Sequence, residues 1–367
     1  MNKQIQPYGL TRRLLHLYAL LCVVVTLVLI GIGGVVTSTG SGLAVPDWPT
    51  SYGYNMFLFP FSRWFGDRAI FYEHTHRIVA SGLGFMMIGL CLWLWLSREK
   101  QERPWLCWTG SAALVMVIIQ GILGGLRVTE LNNFLGLIHG CLAQAFLLLV
   151  AAIALFLSKS WIRWGATVAT AQFAPVVRNS SARLARFGCW VALVIFVQLM
   201  LGAAMRHQHN GLAVPDFPLA YGQVWPSTNV SALEEINLTR QQNNLMPVTI
   251  GQIHLHMVHR AMACVVAALV IGYAVKILKA MPGTRFARFA AIALIAGVTA
   301  QFALGAWTVL SNKAADIATA HVLGGALLLL LCGLLVIVFY RAAQSEGVMA
   351  PANEESSTGL EAVRQNA

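Results

Sequence analysis

The chain has 367 residues, of which 57% are apolar and 11% charged, with a formal net charge of +11. So few charges cannot clothe a water-soluble body of this size, which excludes a soluble enzyme and points to an all-α polytopic membrane protein. The basic excess needs no nucleic acid, since Lys and Arg beside an anionic inner leaflet account for it; membrane lipid is the expected partner.

A bilayer core of roughly 30 Å takes about 20 apolar residues per helix. In chain order, stretches near 14–37, 70–96, 105–126, 134–157, 184–205, 248–274, 286–310 and 317–340 qualify, giving eight transmembrane helices. The first is longer than a signal-peptide core and lacks a clean small-residue cleavage site, so it is expected to stay as a span. Placing the N-terminus inside puts 17 of the 25 Lys and Arg residues in the inner segments. Both termini are therefore expected on the cytoplasmic side. The seven cysteines show no CxxC spacing and none lies in an outer loop, so they read as small buried apolar residues.

After the first span comes "GLAVPDWPTSYG", from Gly42 to Gly53, and 169 residues later "GLAVPDFPLAYG", from Gly211 to Gly222. "EHTHR" (73–77) answers "HMVHR" (256–260) at an offset of 183, and His139 answers His321 at 182. Two pseudo-symmetric four-helix bundles in the same orientation, a parallel internal repeat, are the simplest account. The expected layout is an N-terminal bundle 1–157 with a substrate site, a cytoplasmic linker 158–183, a C-terminal bundle 184–343 with a second site, and a disordered tail 344–367. The second outer loop is enlarged by about 14 residues within 226–247, with no assigned role.

Ionisable groups within a membrane are costly and usually face a cavity or cofactor. His76, His139, His259 and His321 occupy matching places on the second and fourth helix of each unit. Core packing alone gives no reason to duplicate them. Zinc would want four ligands, and no further His, Cys or carboxylate stands at metal spacing. A porphyrin iron needs only two axial partners, which facing helices supply, so one haem is expected between helices 2 and 4 and another between helices 6 and 8. Arg77 and Arg260 directly follow two of these histidines and read either as partners of haem propionates or as residues snorkelling at the membrane edge. Roles for His74, His207, His209, His254 and His256 stay open.

Where the second unit has His256, the first has Glu73, one helical turn before His76. It is the one acid/base candidate of either pocket, with a cap on the positive start of helix 2 as the rival reading. Asp47 and Asp216 read as turn caps.

With "GLAVPDWP", "EHTHR", "GLIHG", "GLAVPDFP", "HMVHR" and "TAHVLGG", the sequence resembles the haem A synthase family over nearly its whole length. The resemblance implies a membrane oxidoreductase that oxidises a ring methyl of haem O to a formyl group, giving haem A for cytochrome oxidase assembly. It implies haem O held by His76 and His139, haem b held by His259 and His321, and Glu73 as the catalytic carboxylate. It implies a bacterial inner membrane with the haem sites near the outer face. The cysteine pairs that some members carry in their outer loops are missing, so this chain is of the cysteine-free type. The electron donor, the source of the oxygen atom, docking of a haem O synthase and a homo-oligomeric state stay open. The competing reading is a di-haem b electron-transfer protein linked to a quinone. A haem exporter is disfavoured by paired axial ligands and the scarcity of charge in the spans.

Overall fold

Lipid offers the backbone no hydrogen bonds, so a spanning segment must satisfy its own amides, and helices do so. The computed structural model describes residues 9–162, 175–208 and 210–344. His209 and much of the linker and tail lie outside the described residues. Among these residues, eight helices are long and apolar enough to cross a membrane, and the protein is a multi-pass membrane protein. They are α1 (Leu10–Ser38), α2 (Arg68–Leu96), α3 (Pro104–Thr129), α4 (Asn133–Leu157), α5 (Pro175–His207), α6 (Ile250–Ala280), α7 (Arg285–Leu310) and α8 (Ala315–Ala343). The only strand-like pairings among the described residues are two isolated bridges, Ser51 with Tyr54 and Ala220 with Gln223.

Helix starts follow local chemistry. Asp67 caps α2 by accepting from the amides of Ala69 (2.8 Å) and Ile70 (3.0 Å). Thr249 and Gln252 form a reciprocal capping box at the start of α6. Because Asp67 holds that position, Glu73 is free of the capping role its sequence position allows and lies in the second turn of α2.

α1 to α4 pack in a ring, α1 on α2 and α4, and α3 on α2 and α4; α5 to α8 close a second ring in the same order. α1 and α4 face α8, and α4 also faces α5, which joins the rings. The first core gathers Leu15, Leu83, Leu90, Phe146 and Leu147. The second gathers Tyr273, Ile277, Leu294, Leu335 and Phe339. At the end predicted to be inner, Arg12 at the start of α1 bonds Glu99 and Glu102, each at 2.6 Å, and Arg103 bonds Glu99, tying the α2–α3 joint to the first helix.

Candidate functional site

The two similar outer loops fold alike. In the first, the Asp47 carboxylate accepts from the amides of Tyr52 (2.6 Å) and Gly53 (2.8 Å), and the Tyr52 hydroxyl donates to the carbonyl of Ala44 (2.5 Å). In the second, Asp216 accepts from Tyr221 (2.8 Å) and Gly222 (3.0 Å), and the Tyr221 hydroxyl donates to Ala213 (2.5 Å). Gly53 and Gly222 sit at φ 78° and 75°, where a side chain is strained. Trp48–Pro49 and Phe217–Pro218 are both cis. Asp47 and Asp216 are thus turn organisers, as their position in the sequence suggests. Burial pushes the Asp47 carboxyl up, but donation from Gly53, Thr50 and Tyr52 outweighs it and holds the group below the usual carboxylate value.

Each loop is pinned by the arginine that follows the first histidine of its pair. Arg77 donates to the carbonyls of Asp47 (2.6 Å), Val45 (2.7 Å) and Thr50 (3.2 Å), and to Glu73 (2.7 Å). Arg260 donates to Asp216 (2.6 Å), Leu219 (3.0 Å) and Val214 (3.1 Å), with its guanidinium 5.6 Å over the Phe217 ring. Neither simply snorkels; both hold backbone. Arg260 keeps one buried Nε–H without a partner.

Glu73 and His256 hold the same thing. The Glu73 carboxylate accepts from the Val45 amide at 2.9 Å, and the His256 Nδ1 accepts from the Val214 amide at 3.2 Å. The difference is charge: Glu73 is also ion-paired with Arg77. His74 is fully buried, bonded to the Ser51 hydroxyl (3.1 Å) and set against Phe59 and Trp64, so it packs the first loop. His254 meets the Thr228 hydroxyl at 3.2 Å.

Below the loops, His76 and His139 lie within electrostatic reach of each other, as do His259 and His321. Every one of these imidazoles rests on a glycine of the preceding helix. A methyl group at Gly33, Gly124, Gly202 or Gly305 would come within 3.0, 3.3, 3.1 or 2.9 Å of Cε1 of His76, His139, His259 or His321, respectively. Each of the four glycines thus makes room for an imidazole. Glutamines brace the backbone of three of the four: Gln120 donates to the His139 carbonyl (3.2 Å), Gln198 to that of His259 (3.0 Å) and Gln301 to that of His321 (2.9 Å).

These residues fit a group with two axial positions. Three of the four, His76, His259 and His321, carry a buried Nδ1 that no protein group satisfies, and such orphaned atoms call for a partner. Among the described residues no three His, Cys, Asp or Glu side chains converge, so each pair offers two ligands and no more.

Sequence reasoning passed over two arginines near the pairs. Arg127, near the end of α3, lies under the first loop: a methyl group at Gly42 would meet its Nη1 at 2.8 Å. Arg206, near the end of α5, reaches across to α1 and donates to the Gly34 carbonyl and to the Ser38 hydroxyl (2.7 Å). His207 packs on α4, where a methyl group at Gly136 would lie 2.8 Å from its Nδ1. None of these has a matching residue in the other half's motifs, and repetition was the signal that singled out the histidines.

Residues 16–333 match the family described as cytochrome oxidase assembly protein, COX15-CtaA. A heme A synthase of Shouchella clausii is 28% identical over 204 residues, covering 55% of this chain and 62% of that protein. The heme A synthase of Brucella anthropi is 23% identical over 341 residues, and that of Brucella ovis 24% over 343, each covering 84% of this chain and 87% of the relative. Two pairs of membrane-embedded histidines under matching loops, in a chain that the family matches from the first helix to the last, make this protein a member of the COX15-CtaA family of cytochrome oxidase assembly proteins.

Proposed function

We propose that the protein is a haem A synthase, oxidising a ring methyl of haem O to a formyl group in support of cytochrome oxidase assembly. The observation that carries the reading is the set of four imidazoles, two to a ring of helices, three of them with a buried Nδ1 that no protein group satisfies, in a chain related to heme A synthases along most of its length. His76 and His139 hold the substrate haem O, and His259 and His321 hold haem b. Haem b, when bound, supplies a one-electron relay next to the substrate site. The two rings of helices serve as two halves of one repeated design, the first for substrate and the second for electrons. The natural setting is a bacterial inner membrane, with both termini cytoplasmic and both sites near the outer face, following the distribution of Lys and Arg.

Converting a methyl to a formyl group formally removes four electrons and four protons with one water taken up, so protons must leave the methyl carbon. Glu73 is the carboxylate placed for this, one turn from His76 and 3% exposed. Arg77 orients it through the 2.7 Å ion pair, and the first loop, pinned by Arg77, keeps water from the pocket.

The shared loop-docking duty of Glu73 and His256 favours the second reading, a di-haem electron carrier in which Glu73 is purely structural. The two separate cleanly. Glu73→His keeps an acceptor for the Val45 amide, so it should retain both haems and a docked loop yet lose conversion of haem O by about 10²–10⁴-fold. Porphyrins extracted after expression with a haem O supply give the measurement; undiminished formyl haem would remove Glu73 from catalysis. His76→Ala and His259→Ala should each lose one haem of the two in the absorption spectrum.

A further inference from the structure

Two guanidinium groups lie near the histidine pairs, and among the described residues neither is bonded to a carboxylate. Arg127 is within electrostatic reach of both His76 and His139, and Arg206 of His321. The two arginines also feel one another. Among the described residues no hydrogen bond or ion pair is found for the Arg127 side chain. Glu73, the acid whose charge acts on Arg127, already serves Arg77 and the Val45 amide. Arg206 has only a carbonyl and a hydroxyl as partners.

Placing like charges together in a half-buried site costs free energy unless anions join them. The main-chain cradle is built for this approach: Gly42 lies over the Arg127 guanidinium, and Gly136 leaves room for its Nε and for the His207 ring. A planar fork of donors suits a carboxylate with two oxygens. Resting on the proposed function, in which each pair holds a tetrapyrrole, the only anions that must lie beside these histidines are the carboxylates on the tetrapyrrole edges.

We propose that Arg127 and Arg206 form a cationic bridge that binds a carboxylate from each haem, Arg127 from the first site and Arg206 from the second. The bridge does two things at once. It fixes the face each ring turns to the boundary between the rings of helices, and it places fixed positive charge between two redox centres. Because Arg206 belongs to α5 and bonds α1, the electron-relay half reaches into the substrate half through this residue.

The test uses full-length protein purified in detergent from haem-supplied cells. Readouts are haem per chain, the rate of haem loss to added apomyoglobin, and the midpoint potential of each haem by optical redox titration. His76→Ala and His259→Ala versions each leave one site for assignment. Arg127→Gln is expected to speed haem loss from the first site by roughly ten- to a hundredfold, and Arg206→Gln from the second. Each also lowers the midpoint potential of its own haem, since removing a positive charge favours the oxidised form. Arg206→Lys should restore the potential, which a mere tether between α5 and α1 would not require. Iron protoporphyrin dimethyl ester, lacking the anions, should leave wild type and both Gln variants at one common rate. Haem-loaded Gln variants with wild-type loss rates and potentials overturn the bridge while leaving the proposed function intact. Wild-type protein that takes up no haem overturns both.

Discussion

At the residue scale, the pairing of imidazole with glycine sets the tolerance of each site. Gly305→Ala would put a methyl group 2.9 Å from His321 Cε1, so the ring must swing away, at about 1–3 kcal/mol of overpacking. The expected outcome is loss of the second haem with the first retained, read from the spectrum of purified protein. The turn acid Asp47 gives a pH signature. Its carboxyl is held below the usual value, so it stabilises the loop fully above the ordinary carboxylate range, and that contribution fades as pH falls through its lower folded value. Susceptibility of the first loop to limited proteolysis should rise in the wild type as pH falls below the ordinary carboxylate value of about 4; Asp47→Asn should already be susceptible above it. Much at this scale was legible in the sequence: repetition picks out His76, His139, His259 and His321, and the Pro-Asp turns read as turns. The capping alternative for Glu73 fails because α2 begins at Arg68 with Asp67 as its cap, two residues before the predicted start. Sequence left Arg77 and Arg260 between propionate pairing and snorkelling, because a donor to main-chain carbonyls leaves no trace in side-chain pattern.

At the element scale, the enlarged second loop resolves into a helix. Val230–Gln242 carries a buried Arg240, which donates to the carbonyls of Met246 (2.7 Å) and Leu212 (2.9 Å) and to the Tyr221 hydroxyl (3.1 Å). Asn237 pairs with both backbone groups of Val248 (2.8 and 3.0 Å). The insertion therefore braces the second loop, as the aromatic cluster of Phe59, Trp64 and His74 packs the first. Arg240→Ala strands these carbonyls at about 1–3 kcal/mol and is expected to open residues 223–247 to protease while the spectrum of the first haem stays unchanged. Hydrophobic runs fixed the number and approximate bounds of the spanning helices in advance. They could not show this short helix, whose sequence is polar with no clear apolar face, so only its tertiary partners define it.

At the scale of the whole molecule, function depends on how α1 and α4 meet α5 and α8. Of the residues acting across that seam, Arg206 from α5 was passed over by sequence reading and His207 was left without a role, because rotation of each helix about its axis decides which neighbour a side chain meets. Repetition also works against such residues: a pattern search finds what both halves share, whereas a seam belongs to one copy only. The arginine clamps carry a different consequence. Arg77 and Arg260 grip oxygen atoms that every amino acid possesses, so each outer loop behaves as an exchangeable cassette. Side chains other than the turn organisers, Asp47 and Tyr52 in the first loop and Asp216 and Tyr221 in the second, are free to diverge, as Trp48 and Phe217 already have, provided the chain path between the clamp points keeps its shape.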